Sequence, residues 1–105
     1  MLEASRKAVQ FAAGRSRSDL EEDEVLAFAL TRVVEIVCEA SRETSEEVQQ
    51  LAPKIEWRKM SGTRNRVVHA YFDVDLDVLW AIVTIDLPPM IEELERLQTL
   101  LPPDD

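Results

Sequence analysis

Residues 20–44 read LEEDEVLAFALTRVVEIVCEASRET, and this stretch decides the fold class. Apolar residues recur in it at helical spacing, which predicts one long helix from about Leu20 to Thr44. Ser18 or Asp19 can cap its start, and the acidic residues that follow suit the positive end of a helix dipole. The apolar residues that recur at this spacing, and are expected to face the core, are Val25, Phe28, Ala29, Val33, Ile36, Val37 and Ala40.

Shorter helical segments lie on both sides of this long helix. A first helix is predicted from Met1 to about Ala13, where Gly14 breaks it, and a short turn of helix over Ser45 to Leu51. Pro53 suits the first turn of the next helix, because proline needs no amide donor there. That helix is predicted to run to about His69.

The last part of the chain is predicted as a loop and one further helix. The loop covers residues 71–74, and Asp75 or Asp77 can cap the helix that follows. Pro88 and Pro89 lie inside its apolar pattern and should kink it or split it in two. No segment alternates cleanly with period two between turn residues, so no strand is predicted. The fold expected is an all-α, up-and-down bundle of four to five helices, in a single domain over residues 1–105.

Composition narrows the class of protein. No run of 18 apolar residues is present, which predicts no membrane span, and the N-terminus lacks the pattern of a secretory signal. The single cysteine, Cys38, excludes an intrachain disulfide and suits a reducing cytoplasm. One cysteine and one histidine cannot build an ordinary four-ligand zinc site, so no metal and no cofactor are predicted.

The charge is unevenly distributed along an acidic chain. The net charge is −9, yet residues 54–66 carry five basic groups and one acidic group. A local cluster of cations can focus a phosphate backbone onto one cleft, even in an acidic molecule. A solvated helix face is the alternative interpretation, and charge alone favours it. The candidate RNA-binding residues around Arg64 are Lys54, Arg58, Lys59 and Arg66.

Three residues of the same segment suit phosphodiester chemistry. On a helix, Asn65 and His69 lie one turn apart, so the amide can hold the imidazole in one tautomer. Arg64 lies about 140° from His69 around the helix, but its long side chain can reach the same cleft. A guanidinium binds phosphate and a histidine transfers protons near neutral pH, which together suit metal-independent cleavage of RNA. By spacing alone, a structural histidine and a packing role for Tyr71 remain the more common alternatives.

The segment 64–71, RNRVVHAY, resembles the HepT-like branch of the HEPN superfamily. The signature of that branch is arginine, four residues, histidine, one residue and tyrosine. The resemblance extends over about residues 25–97, and its most specific part runs from Pro53 to Pro88. Further matching elements are the stretches 53–57 (PKIEW), 62–65 (GTRN) and 86–88 (DLP). Two positions depart from the family pattern: Cys38 replaces a common glycine, and Thr63 replaces an apolar residue.

The resemblance implies a HEPN-type two-fold homodimer whose protomers share a composite ribonuclease site made of Arg64, Asn65 and His69. The histidine count agrees, since RNA transesterification needs a base and an acid, and one chain supplies one histidine. The resemblance also implies a toxin whose antitoxin is a nucleotidyltransferase of the MNT type. That partner would transfer AMP to Tyr71, adding charge and bulk beside the cleft.

Two other functions compete with this prediction. The chain could be a catalytically inactive HEPN dimer that binds its nucleotidyltransferase, although the intact motif argues against it. It could also be a structural bundle with a coincidental motif. Glu39 has two open roles, a packing salt bridge or the positioning of Arg64. The residues expected in the core are Trp57, Met60, Trp80 and Cys38.

Overall fold

The long helix predicted over residues 20–44 is interrupted near its start. The computed structural model describes residues 1–70 and 73–101, and for residues 69 and 70 it describes the backbone. Helix α1 spans Leu2–Ala12, α2 is one turn over Asp19–Glu22, and α3 is the long helix over Glu24–Glu43. The remaining elements are α4 (Glu46–Leu51), α5 (Trp57–Val67), β1 (Val68–Ala70), β2 (Asp73–Val74), α6 (Leu76–Ala81), a π-helix (Ile82–Asp86) and α7 (Leu87–Leu100). The predicted all-α bundle is confirmed, although the described residues form seven α-helices and a π-helix where four to five helices were predicted, and two short strands where none was predicted.

Asp23 caps the long helix, so the predicted cap at Ser18 or Asp19 is wrong for α3. The backbone of Asp23 leaves the helical region, with φ −115° and ψ 92°. Its carboxylate accepts a hydrogen bond from the Leu26 amide at 3.0 Å. This bond, together with one from Arg15, lowers the pKa of Asp23 below its usual range. The acidic residues 21–24 were expected to start one helix. They are instead divided between the end of α2, the cap Asp23 and the start of α3.

Helix α3 forms the centre of the bundle, with α1 and α5 packed against it and α7 packed against α1. Its buried side chains are Leu26, Leu30, Thr31, Val33, Val34, Val37, Cys38 and Ser41. Val33 and Val37 were predicted correctly. Val25, Phe28 and Ile36 were not, since 78%, 43% and 36% of their surfaces are exposed. The helix is apolar on two faces, and the positions of α1 and α5 decide which one is buried.

Helix α5 begins four residues later than predicted. Pro53 lies in a turn before the helix, and α5 starts at Trp57. The Trp57 indole N–H donates to the Ala52 carbonyl at 3.0 Å, which fixes the turn against the helix. Trp57, Met60 and Cys38 are buried as predicted, whereas Trp80 is partly buried against the core.

A short antiparallel hairpin follows α5. The sequence predicted helix to His69 and a loop over residues 71–74, of which 71 and 72 lie outside the described residues. Val68 pairs with Val74 and Ala70 pairs with Asp73, so β1 has one residue more than β2 between the pairs. That extra residue is His69, which therefore lies in a β-bulge. The Asp75 amide closes the hairpin by donating to the Val67 carbonyl at 2.7 Å. β-branched residues suit paired strands better than a helix end, which accounts for the early stop of α5.

The last helix runs from Leu76 to Leu100 without a non-helical residue, and a π-helical turn lies just before the two prolines, where the sequence predicted a kink or a split. The Asp75 carboxylate caps α6 by accepting a hydrogen bond from the Val78 amide at 3.1 Å. This confirms Asp75, rather than Asp77, as the predicted cap. The π-helix follows, and its widened turn closes where the Leu87 amide donates to the Ile82 carbonyl. Pro88 and Pro89 follow directly in the first turn of α7, and the widened π-helical turn lies where two prolines without amide donors cannot continue the regular α-helical hydrogen bonds.

None of the helices in residues 1–70 and 73–101 is long and apolar enough to cross a membrane.

Candidate active site

Arg64 lies in the last turn of α5 and reaches across to α3. Its Nε lies 3.3 Å from Oε2 of Glu35 and donates a hydrogen bond to it. The Arg64 side chain is 43% exposed and the Glu35 side chain is 27% exposed. Because the contact uses Nε, it leaves both terminal Nη nitrogens of the guanidinium free of Glu35. Those two nitrogens are the pair that can donate to a phosphate group.

Glu35, not Glu39, is the carboxylate that meets Arg64. Glu39 is exposed on the surface of α3, so the expected buried carboxylate at this position is wrong. Glu35 is one helical turn earlier, on the side of α3 that faces α5. Sequence spacing cannot show which of the two glutamates contacts Arg64, because residues four apart share a helix face. The angle at which α3 crosses α5 decides that Glu35 makes the contact.

A row of α3 residues follows the contact with α5. Glu35, Cys38 and Arg42 are spaced by three and four residues, so they lie on one side of the helix. Arg42 Nη1 donates to the Ser61 carbonyl of α5 at 3.5 Å. Arg42 bonds Ser61 of α5 and Arg64 bonds Glu35 of α3, so both guanidiniums lie along the contact between the two helices. The charge pattern of the sequence does not point to Arg42, because this residue lies outside the basic segment 54–66.

Cys38 lies beneath this seam as a buried thiol. Burial raises its pKa, although a hydrogen bond from the Arg64 backbone acts in the opposite direction. The raised pKa keeps the side chain neutral, so Cys38 behaves as the small hydrophobic residue that was predicted.

Asn65 and His69 do not share a helix. Asn65 is exposed in the last turn of α5, which ends at Val67, and the His69 backbone lies in the bulge of β1. The one-turn geometry that predicted their contact is therefore wrong, because the chain changes from helix to strand between them. The proposed action of the His69 side chain, like the whole of Tyr71, lies outside the described residues.

The basic residues of segment 54–66 separate onto different sides of α5. Lys59 and Arg66 are seven residues apart and line a recess of about 320 Å³ beside α6 and the π-helix. Lys54 and Lys59 line a second recess of about 360 Å³ between the start of α5 and α7. Arg64 lies about 140° from Lys59 around the helix, towards α3. The basic residues expected to cluster around Arg64 therefore form two groups, with Arg64 towards α3 and Lys54, Lys59 and Arg66 at the two recesses. Arg58 is exposed and lines neither recess.

Acidic side chains share these recesses. Asp86 lines both recesses, and Glu56 forms an ion pair with Lys59 at 3.4 Å. An ion pair of this kind reduces the positive potential that Lys59 offers to an anion. Arg64 and Arg42 line neither recess, so they lie on a different part of the surface from Lys54 and Lys59.

Comparison with known proteins identifies the class and then the family. An all-α bundle with an arginine at the end of a helix, a histidine five residues later and a tyrosine two beyond is of the HEPN type. Residues 1–97 match the family described as ribonuclease HepT-like, and the chain belongs to that family. The match includes α1, from which the sequence resemblance carried nothing over.

Individual relatives agree with this family. A Thermococcus cleftensis protein named as a probable ribonuclease HepT is 40% identical over 76 residues, covering 72% of this chain and 69% of its own length. A Methanocaldococcus jannaschii protein named as a candidate RNase is 30% identical over 95 residues, covering 90% of this chain and 87% of its own length. A third relative, named as a candidate RNase in Caldanaerobacter subterraneus, is 27% identical over 84 residues, covering 80% of this chain and 75% of its own length. No solved structure matches significantly.

Proposed function

We propose that this protein is the toxin of a HEPN/MNT toxin–antitoxin pair and acts as a metal-independent endoribonuclease. The observation that carries the proposal is the Arg64 guanidinium. It is anchored by Glu35 through Nε and partly exposed, at the end of α5, five residues before the only histidine of the chain. An anchored guanidinium with two unused donors suits the non-bridging oxygens of a phosphodiester. Membership of the ribonuclease HepT-like family supports the same chemistry.

The reaction is an internal transesterification. The 2′-oxygen of the RNA attacks the neighbouring phosphorus, and the bond from phosphorus to the 5′-oxygen breaks. A general base takes the proton of the 2′-hydroxyl, and a general acid gives a proton to the leaving 5′-oxygen. The products are a 2′,3′-cyclic phosphate and a 5′-hydroxyl. Arg64 stabilises the negative charge that develops on the phosphoryl oxygens, because its donors are already in place.

The histidine count points to a composite site. Each chain supplies one His69, whereas the reaction needs a base and an acid. A two-fold homodimer brings two copies to one cleft, so one His69 serves each role. Asn65 orients the imidazole in this proposal. Its place in α5, and that of His69 in a strand, mean that the contact crosses the helix-to-hairpin junction or comes from the second protomer.

RNA phosphates outside the cleaved linkage are proposed to bind the other cations in α5 and in the turn before it. Lys54, Arg58, Lys59 and Arg66 are all exposed, and each can neutralise a phosphate. The structure places Lys59 and Arg66 on the side of α5 away from Glu35. The RNA strand would therefore pass over the outer face of α5, where Arg58 lies, to reach these residues from Arg64.

Regulation is assigned to Tyr71. In the proposed reaction, the phenol oxygen attacks the α-phosphorus of ATP, pyrophosphate leaves and the phenol proton is released. The product carries AMP two residues from His69, where its charge repels RNA phosphates. The enzyme that performs this transfer is proposed to be a nucleotidyltransferase antitoxin of the MNT type, acting in the cytoplasm.

RNA cleavage by purified protein tests the nuclease proposal. We expect a labelled single-stranded RNA to be cut in the presence of EDTA and to end in a 2′,3′-cyclic phosphate. His69→Ala and Arg64→Ala should each abolish cleavage, while Asn65→Ala should retain part of it. The matched control is Arg6→Ala, which removes an exposed arginine of α1 that pairs with Glu95. Cleavage that is lost with EDTA and recovered with magnesium would contradict the mechanism.

A further inference from the structure

Gly62 lies exposed in the middle of α5, a place where glycine weakens a helix. It is flanked by helical residues on both sides within Trp57–Val67, and its φ is not positive. Glycine in a helix interior lowers stability relative to alanine, because it loses more conformational freedom on folding. The backbone conformation of α5 therefore does not require a glycine at this position.

Packing does not require a glycine at position 62 either. Apart from its chain neighbours and its own helix backbone, nothing in the part of the chain that the structure describes lies within 4 Å of a Cβ atom built on Gly62. The buried side of α5, with Met60, Thr63 and Val67, faces the opposite direction. An alanine at position 62 would therefore fit this fold and strengthen the helix. What the glycine provides is an open stretch of helix backbone at the surface.

Cations surround this open stretch of backbone. The residues three and four positions from Gly62 are its neighbours on the helix surface. All of them are exposed and polar, and they are Arg58, Lys59, Asn65 and Arg66. Arg58 and Arg66 form no ion pair with any side chain in residues 1–68 and 73–101, so both guanidiniums are available to an anion. Gly62 together with these four neighbours is called the Gly62 notch below.

We propose that the Gly62 notch binds one phosphate of a single-stranded RNA against the backbone of α5. Arg58 lies one turn before Gly62 and Arg66 one turn after it, so a phosphate between them can accept hydrogen bonds from both guanidiniums. Asn65 can add an amide donor. A methyl group at position 62 would occupy the same space and hold the phosphate away from these donors. This inference rests on the proposed function, because it assigns one contact on the RNA path over α5.

The charge around Gly62 favours RNA over a second protein helix of the same kind. Two copies of this face packed together would bring the guanidinium of Arg58 and that of Arg66 against further cations, which is unfavourable. A phosphate backbone carries the complementary charge. Arg64 reaches towards Glu35 of α3, on the other side of α5 from the notch. The phosphate in the notch is therefore one that flanks the cleaved linkage, and Gly62 acts in RNA binding without touching the reacting atoms.

The Gly62→Ala variant tests the notch, because it should be more stable and yet bind RNA more weakly. The Kd for a labelled single-stranded RNA is measured by fluorescence anisotropy in the His69→Ala background, in which the proposed chemistry is blocked. We expect Gly62→Ala to raise the Tm by about 2–8 °C, since alanine favours the helix. It should raise the RNA Kd by about tenfold, the loss expected for one hydrogen bond to a charged group.

Two further variants show where the lost affinity comes from. Gln98→Ala places an alanine at an exposed position of α7 and should leave the RNA Kd unchanged. Gly62→Ala should cost less affinity in an Arg58→Gln background, because both changes act on the same phosphate and their effects are then not additive. Arg58→Gln alone should reduce the slope of log Kd against log salt by about one.

Three outcomes would overturn the Gly62 notch. If Gly62→Ala is stabilised and binds RNA as tightly as its parent, the notch is wrong and the nuclease proposal is unaffected. If sedimentation shows that Gly62→Ala changes the oligomeric state and the loss of affinity follows that change, the glycine serves a contact between proteins. A wild-type protein that neither binds nor cleaves RNA would overturn both the notch and the proposed function.

Discussion

The Nε atom of Arg64 donates to Oε2 of Glu35 across 3.3 Å and so joins the last turn of α5 to the middle of α3. Glu35 does not need to touch RNA to affect cleavage. It limits the directions in which the guanidinium can point and leaves its two Nη nitrogens available. Glu35 is thus a candidate positioning residue for the Arg64 guanidinium.

Glu35→Ala should lower kcat for RNA cleavage by about two- to fivefold, because a partly exposed ion pair contributes about 0–1 kcal/mol. KM should stay equal or fall, since removal of a carboxylate makes the surface less repulsive to phosphate. Glu35→Gln keeps an oxygen acceptor and should recover most of kcat. Steady-state kinetics on a labelled RNA would measure both constants, with sedimentation to show that assembly is unchanged. Equal kcat values for Glu35→Ala and wild type would rule out positioning.

Tyr71→Phe should keep the fold and much of the nuclease activity but escape control by AMP transfer. The phenol oxygen is the proposed acceptor, and phenylalanine lacks it. Wild type incubated with the nucleotidyltransferase, ATP and magnesium should gain about 329 Da per AMP and lose RNA cleavage. Intact-mass spectrometry and the cleavage assay give the two readouts. If Tyr71→Phe gains the same mass and is silenced equally, the acceptor is another residue.

Asp23→Asn should lower the Tm at neutral pH, and the difference from wild type should shrink in acid. The pKa of Asp23 is lowered in the folded protein, first by the Leu26 amide and then by Arg15. A group whose folded pKa is lowered stabilises the protein above its unfolded pKa, about 3.9 for aspartate, and loses that contribution as the pH falls through the folded value. Thermal melts at pH 7 and near pH 3 measure this. A Tm difference that grows towards low pH would contradict the assignment.

Leu30→Ala should destabilise the protein by about 2–5 kcal/mol, because it removes a buried side chain from the centre of α3 and leaves a cavity. Leu30 is 0% exposed. The same change at Leu100, which is 53% exposed near the end of α7, should cost less than about 1 kcal/mol. Urea denaturation followed by circular dichroism gives both values. Similar losses at the two positions would mean that Leu30 is not in the core.

Local chemistry in the sequence determined much of the fold. Helical spacing predicted the bundle, Asp75 was one of two predicted caps, and the two prolines marked the place where the last helix departs from the regular α-helix. These features depend on residues within one or two turns of each other, so a single chain segment contains the information. The segment 64–71 likewise carried the family resemblance, which the match over residues 1–97 confirms.

Tertiary structure decided which faces and which partners are used. The apolar pattern of α3 permits two buried faces, and the packing of α1 and α5 buries Leu30 instead of Phe28. Glu35 and Glu39 share a side of the same helix, and the crossing of α3 with α5 brings only Glu35 to Arg64. The hairpin at His69 depends on pairing with residues beyond position 72. Apolar periodicity predicts a helix from residues close together in the chain. Helix crossings and strand pairs depend on residues that are distant in the chain, so the local sequence pattern does not determine their positions.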